Sequence, residues 1–173
     1  MARSPLARSS PVFDIAPELV IAVGIRFAAP DESTGLEQLQ FRASIALPTY
    51  REDVLRHPEV IHLPPSLIVQ KRVRVAVHAS VTVGFIALLA PEDSVSKLDG
   101  LFVDPAWWRQ GIGSALIRDA CDLARAEHTH AIHVVANPDA LEFYHACGFI
   151  TVGETQTQFG PAPRMRCVLS GRR

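Results

Sequence analysis

The spacing of apolar residues changes character near residue 73. From there Val73, Val75 and Val77 alternate with smaller or charged residues, which is the period-two pattern of a strand with one covered face. Turn-forming segments follow at residues 79–80 and 91–94. The pattern therefore predicts an antiparallel meander of three strands. These strands start at Val73 and then span residues 81–89 and 95–103.

A helical spacing follows the third strand. Residues 111–127 carry apolar side chains at intervals of three and four, which predicts a long amphipathic helix. The stripe consists of Ile112, Leu116, Ala120 and Leu123, widened by Ile117 and Ala124. A strand reached through a helical crossover should run parallel to the strand before it. The remaining predicted elements are that strand at 131–136, a short helix at 138–147 and strands at 149–156 and 163–169.

The first part of the chain gives weaker signals. Residues 1–22 are rich in serine, proline and arginine, so they are predicted to be a flexible N-terminal extension, with residues 23–173 as a single domain. Asp31 or Ser33 can cap the first helix of that domain. The elements expected here are a strand at 25–29, a helix at 34–46 and a proline-rich loop with one or two short helices at 50–72.

Taken together, the elements predict an α/β (α+β) fold around a mixed central sheet. The sheet should have about six or seven strands, an antiparallel meander followed by a parallel β-α-β unit, with helices on both faces. The chain of 173 residues is long enough to bury the core of one such domain.

Composition removes several classes of function. The chain is 48% hydrophobic and 20% charged with a net charge of -1, so no nucleic-acid partner is expected. No apolar run approaches the roughly 18 residues of a membrane span, so no membrane partner is expected. Three cysteines without a paired spacing suit a reducing cytoplasm. His128, His130 and His133 have no cysteine pair nearby, and no metal is expected.

The segment LFVDPAWWRQGIGS, residues 101–114, holds the most informative chemistry. It leads from a strand through a proline turn to two glycines, Gly111 and Gly113, where a helix must start. Unpaired N–H groups at a helix start attract anions, and residues without a Cβ allow a phosphate to approach them. The same glycines also suit a tight turn without any ligand. The segment lacks the lysine of a P-loop and the third glycine of a dinucleotide fingerprint, which leaves an acyl-CoA pyrophosphate.

Two stretches then resemble one known family. LDGLFVDPAWWRQGIGSALI is similar to the central motif of the GNAT family of N-acetyltransferases, and VANPDALEFYHACGF is similar to its downstream motif. Trp108 departs from the pattern, since that place usually holds glutamine or arginine. The resemblance implies that acetyl-CoA binds along the third strand and the glycine loop. The implied cofactor-binding residues are Leu101, Phe102, Val103, Arg109, Gln110, Gly111, Ile112, Gly113, Ser114, Asn137, Ala140 and Tyr144.

The resemblance also implies two catalytic residues. It puts the Tyr144 hydroxyl near the thioester sulfur, where a phenol can act as general acid, although a tyrosine on a short helix also packs. Asp99 is the candidate base, because period-two spacing puts it on the face of Leu101 and Val103. Two alternatives remain open for Asp99. It can be a solvated carboxylate at the strand end, or a bulge at Gly100 can turn it away.

The expected function is direct transfer of the acetyl group of acetyl-CoA to a primary amine in a ternary complex. The amine belongs to a small molecule or a peptide, and a homodimer is compatible with the sequence. The alternative is a catalytically silent acyl-CoA-binding sensor module. The acceptor is expected to lie against residues 36–65 and 156–164, where Tyr50, His62 and Arg164 are candidate lining residues.

Overall fold

The computed structural model describes residues 21–169. The expected N-terminal extension therefore lies almost entirely outside the described residues, as do residues 170–173. The strands form one sheet of seven, in the order β1-β2-β3-β4-β5-β7-β6. Their bounds are β1 Gly24–Phe27, β2 Val73–His78, β3 Val81–Leu88, β4 Val95–Val103, β5 Ala131–Val135, β6 Ile150–Thr157 and β7 Gly160–Val168.

Helices lie on both faces of this sheet, as the sequence predicts. The α-helices are α1 Ser33–Ala46, α2 Arg51–Arg56, α3 Pro65–Val69, α4 Ile112–Ala126 and α5 Leu141–Ala146. Short 3-10 turns occupy Pro30–Glu32, Pro58–Val60, Pro105–Trp107 and Pro138–Ala140. Each turn starts at a proline, whose fixed φ suits a helix start and whose missing N–H would be unpaired there.

The apolar side chains divide between the two faces of the sheet. On one face Leu116 and Ala120 of α4 pack with Ile86 and Leu98 of the sheet in a buried cluster. We call this the α4 face. On the opposite face, which we call the α1 face, Leu36 and Leu39 of α1 pack against strands β2 and β3. The period-two pattern of the strands thus supplies both cores, and the mixed-sheet prediction is confirmed.

The pairing pattern matches the predicted topology. Strands β2, β3 and β4 form the antiparallel meander, and β4 then pairs in parallel with β5 across the α4 crossover. Strand β7 inserts between β5 and β6, so the C-terminal hairpin is antiparallel to β5.

Two local predictions were wrong in detail. Neither Asp31 nor Ser33 caps the first helix through its side chain; instead the Glu32 carboxylate accepts the Ala29 N–H at 2.7 Å, ahead of a 3-10 turn. Strand β7 starts at Gly160, three residues before the predicted start. Pro161 and Pro163 lie inside it, and prolines are tolerated only where the missing N–H is not needed by a neighbouring strand.

Candidate active site

The parallel strands β4 and β5 separate at the end of the sheet where β4 leads into the glycine loop. Their pairing ends at Leu98 opposite Val134, yet β4 continues to Val103. Strand β5 ends at Val135. The last residues of β4 therefore border an opening instead of a neighbouring strand.

The backbone of β4 directs polar groups into this opening. In an antiparallel pair, successive residues point their N–H and C=O groups alternately toward and away from the partner strand. Asp104 donates its N–H to Val83 O at 2.9 Å, so the backbone N–H and C=O groups of Asp104 and Phe102 point toward β3. The backbone N–H and C=O groups of Leu101 and Val103 consequently point away from β3, toward the opening. Their N–H and C=O groups can pair with an extended amide-bearing ligand such as pantetheine.

The loop after β4 is held by a capping carboxylate. Asp104 accepts the Ala106 N–H at 3.1 Å and forms an ion pair with Arg42 of α1 at 2.7 Å. The indole Nε1 of Trp108 donates to the Val103 carbonyl at 2.7 Å. Trp108 thus occupies one acceptor site of the same carbonyl that faces the opening, a role that its place in the motif does not predict.

The two loop glycines serve different purposes. Gly111 is the N-cap of α4 with φ 78°, a left-handed conformation that favours glycine, and a Cβ there would meet no atom within 4 Å. The Cβ position of Gly111 is thus open space beside the helix start, where the first N–H groups have no partner within the helix. At Gly113 a Cβ would lie 3.0 Å from the Phe143 ring, so this glycine allows α4 to pack closely against α5.

The other loop residues fall into two groups. Arg109 is exposed and adopts φ 60°, and Gln110 is partly buried with its side-chain oxygen unpaired among the described residues. Ile112 is buried at 1% exposure, so it can meet a ligand only through its backbone. The Ser114 hydroxyl lies 3.8 Å from the Cys147 sulfur. Burial raises the pKa of Cys147, which disfavours a nucleophilic thiolate there.

The segment after β5 is shaped by Asn137. Its side chain accepts the Asp139 N–H at 2.9 Å, with Pro138 in the first position of the turn that ends at Ala140. This is the capping role expected from the sequence. Gly148 ends α5 with φ 88°, which is the left-handed helix-ending conformation that the sequence also predicts.

Tyr144 lies on α5 between two aromatic rings. Its ring centroid is 5.3 Å from those of Phe143 and Phe149, and only 6% of the residue is exposed. Burial raises the pKa of Tyr144 above its ordinary value, so the hydroxyl stays protonated at neutral pH. Among residues 21–169 no hydrogen bond engages this hydroxyl. The proton is therefore available for a ligand atom that reaches it.

Of the alternatives open for Asp99, the structure has the bulge, so Asp99 does not share the face of Leu101 and Val103. Gly100 pairs with Ala87 and Leu98 with Leu88, so Asp99 is the extra residue of a β-bulge. Leu98, Leu101 and Val103 all pack toward α4. Asp99, which is exposed, therefore lies on the opposite face, the α1 face, at the point where β4 leaves β5.

The turn between α1 and α2 crosses the opening on the α1 face. Thr49 donates both its N–H and its hydroxyl to the Asp139 carboxylate, each at 2.9 Å, and these residues are 90 positions apart. The Tyr50 ring meets the Phe159 ring at the tip of the β6–β7 hairpin with centroids 5.8 Å apart. Sequence reasoning named Tyr50 but missed Thr49 and Asp139, which carry no local motif. The Nδ1 atom of His62 lies 3.3 Å from a carboxylate oxygen of Glu37.

The site thus combines a mixed sheet whose parallel pair separates with a helix start whose first N–H groups have no partner within the helix. The family model "Acetyltransferase (GNAT) family" matches residues 37–149. The chain belongs to this family, which confirms the resemblance seen in the two motifs.

Solved structures share the fold at low sequence identity. The PaiA N-acetyltransferase of Thermoplasma acidophilum, in complex with coenzyme A, has a TM-score of 0.69 at 18% identity and matches 85% of this chain and 99% of its own. The ribosomal-protein-S18-alanine N-acetyltransferase of Escherichia coli has a TM-score of 0.63 at 17% identity, over 88% of this chain and 97% of its own.

A curated relative matches over a shorter stretch. A glucosamine 6-phosphate N-acetyltransferase of Trypanosoma brucei brucei is 30% identical over 56 residues, which is 32% of this chain and 38% of that protein. Because the match spans well under half of the relative, it does not define this chain's acceptor.

Two further findings concern other ligands. No group of three or more histidine, cysteine or acidic residues in the described range is placed to hold a metal ion. No helix within residues 21–169 is both long and apolar enough to span a bilayer.

Proposed function

We propose that this chain transfers the acetyl group of acetyl-CoA directly to a primary amine in a ternary complex. The observation that carries the proposal is the opening between β4 and β5, which adjoins the anion-accepting start of α4 in a chain of this family. Acetyl-CoA supplies an acetyl group that is activated as a thioester. The chain supplies positioning, charge stabilisation and proton transfer.

The cofactor-binding set remains a proposal and divides by chemistry. Leu101 and Val103 offer backbone groups to the pantetheine amides, while Phe102 directs its backbone to β3 and its ring to the α1-face cluster. Residues 109–114 offer their N–H groups and the Arg109 charge to the pyrophosphate. Asn137 and Ala140 border the opening from the other side. A strand N–H that points into the opening also stabilises the negative charge that develops on the acyl oxygen.

Tyr144 is the proposed general acid. The free thiol has a reference pKa of about 8.5, whereas the phenol exceeds about 10, so complete proton transfer from the phenol to the departed thiolate is uphill by at least about 2 kcal/mol. The Tyr144 hydroxyl therefore acts by donating a hydrogen bond to the sulfur as the carbon–sulfur bond breaks and negative charge develops there. When the proton moves to the thiolate, the tyrosine recovers one from solvent, which receives the proton lost by the amine.

Asp99 is the proposed base, acting from the α1 face. A primary amine with a pKa near about 10.4 is neutral in about one molecule per few thousand at pH 7, so loss of its proton must be assisted. The bulge at Asp99 keeps this carboxylate exposed beside the opening. A water between the amine and the carboxylate gives the same outcome, because one water can relay a proton.

The acceptor is proposed to be a small molecule or peptide amine that enters on the α1 face. The amine-acetylating relatives support this choice of chemistry. The turn between α1 and α2, which contacts Asp139 and Phe159, narrows the path by which the acceptor would enter.

We further propose a cytoplasmic location, because Cys121, Cys147 and Cys167 are all free thiols.

We also propose a homodimer. The edge strand β6 exposes Ile150 and Val152, which supports this proposal, and light scattering tests it.

The function is tested by the release of free CoA thiol from acetyl-CoA in the presence of a panel of primary amines. We expect amine-dependent thiol release and an acetylated amine of the corresponding mass. Tight acetyl-CoA binding without any acetylated product across the panel would instead favour the silent sensor.

A further inference from the structure

A set of basic residues lies on the α1 face of the sheet, beyond the part that α1 covers. His133 and Val135 of β5 alternate with Ile132 and Val134, which are buried toward α4. His133 and Val135 are exposed on the opposite side. Arg166 pairs with His133, and Arg164 pairs with Val135.

The positive charges of this set are not neutralised within the described chain. No ion pair among residues 21–169 engages Arg164 or Arg166. By contrast, Arg72 and Arg74 are each paired with a carboxylate at 2.7 Å. Partial burial and the charges of Arg166 and Arg164 lower the pKa of His133, which shows that the three groups lie near one another. Lys97, opposite His133 on β4, adds a further positive charge.

The guanidinium of Arg164 lies over a glycine of the neighbouring strand. Gly153 lies opposite Arg164 at a register shift of β6 and adopts φ 149°. A Cβ at Gly153 would lie 3.0 Å from an Arg164 guanidinium nitrogen. Arg164 is exposed, so the donors of its planar fork are accessible to a ligand.

This basic set adjoins the proposed acetyl-transfer site. Val135 is the last residue of β5, one position beyond the final β4–β5 pair at Val134. Asp99 lies at the corresponding position of β4, on the same face. Two regular strand spacings of about 4.8 Å separate β4 from β7, and β4 begins to leave β5 at this point, so the backbones of Asp99 and Arg164 are at least about 10 Å apart. A small amine that carries an anionic group a few bonds away can span this distance.

We propose that Arg164 and Arg166, beside His133 and Lys97, bind an anionic group of a small-molecule acceptor and so select anionic amines. The arginine forks match the paired oxygens of a phosphate or a carboxylate. The inference rests on the proposed function, since it assigns the acceptor of that same site.

The test measures binding in place of turnover, so it does not depend on catalysis. Isothermal titration at saturating coenzyme A compares two matched pairs of amines: glucosamine 6-phosphate with glucosamine, and L-alanine with L-alaninamide. At least one anionic member should bind about tenfold tighter than its neutral partner, the size expected for hydrogen bonds to charged groups. The pair that shows the preference identifies the group as phosphate or carboxylate.

The double variant Arg164→Gln and Arg166→Gln should remove that preference and leave the affinity for coenzyme A unchanged. Arg118→Gln is the matched control, because Arg118 is an exposed arginine of α4, which packs on the opposite face of the sheet. Equal binding of charged and neutral partners, or a preference that survives the double variant, would overturn the inference. Anion-selective binding without acetyl transfer would retain the basic site and reject the proposed function instead.

Discussion

The substitution Tyr144→Phe distinguishes a catalytic role of the Tyr144 hydroxyl from a packing role of its ring, because it removes one oxygen atom and keeps the ring. The ring lies in edge contact with Phe143 and Phe149, and these contacts survive the change. The oxygen has no hydrogen-bond partner among residues 21–169 and belongs to a residue that is 6% exposed. The rate of catalysis is therefore expected to fall while the stability stays nearly unchanged.

The two magnitudes follow from that environment. The Tyr144 oxygen is not one of the fully buried, unpartnered side-chain atoms of the described residues, so no large desolvation penalty is relieved and the free energy of unfolding should change little. General acid assistance contributes about 10²–10⁴-fold, so kcat should fall on the order of 10²-fold. The KM for acetyl-CoA should change little, because neither the ring nor the loop amides are altered.

The assay combines steady-state thiol release with thermal unfolding of the same preparations. Because burial raises the pKa of Tyr144, its contribution to the stability of the wild type is present below the unfolded pKa near about 10 and is lost as the pH rises further. The phenylalanine variant should lack this loss above pH 10. An unchanged kcat would refute the acid role, and a drop in stability together with kcat would indicate a packing role.

Three further outcomes test other parts of the molecule. Gly111→Asp should abolish the rise in Tm on adding acetyl-CoA, because a charged side chain would enter the free space at the start of α4. Gly111→Ala is the control for backbone strain alone. If acetyl-CoA still raises the Tm of the aspartate variant, the pyrophosphate binds elsewhere. Removing residues 1–17 should leave Tm and cofactor affinity nearly unchanged, and a Tm lower by many degrees would contradict the extension prediction. The hydrogen bond and charge of Arg26 lower the pKa of Glu32 to about 2, so the stability from the ionised carboxylate is present at pH 7 and is lost as the pH falls to about 2. Glu32→Gln should therefore lower Tm at pH 7 and have little effect near pH 2. An equal loss of Tm at both pH values would argue against the ion pair.

Much of the fold follows from patterns that are local in the chain. The alternation after Val73 sets the meander, and the apolar stripe of α4 sets the crossover that makes β5 parallel to β4. The cap at Asn137 and the left-handed Gly148 depend on neighbouring residues only, so the sequence is sufficient to predict them. The two motifs likewise locate the start of α4.

The site itself depends on register and on contacts between distant residues, which only the tertiary structure decides. One extra residue in β4 moves Asp99 to the opposite face; Gly100 makes such a bulge possible in the sequence, but only the pairing with β3 decides that it forms. A Cβ at Gly113 would lie 3.0 Å from the ring of Phe143, thirty residues later by sequence number, and Thr49 meets Asp139 across the opening. Local sequence preferences specify which elements form, but side chains far apart in the chain meet only when those elements pack. The pairing of β5 with β7 likewise brings Arg164 and Arg166 beside the end of β5, where we propose that the acceptor binds.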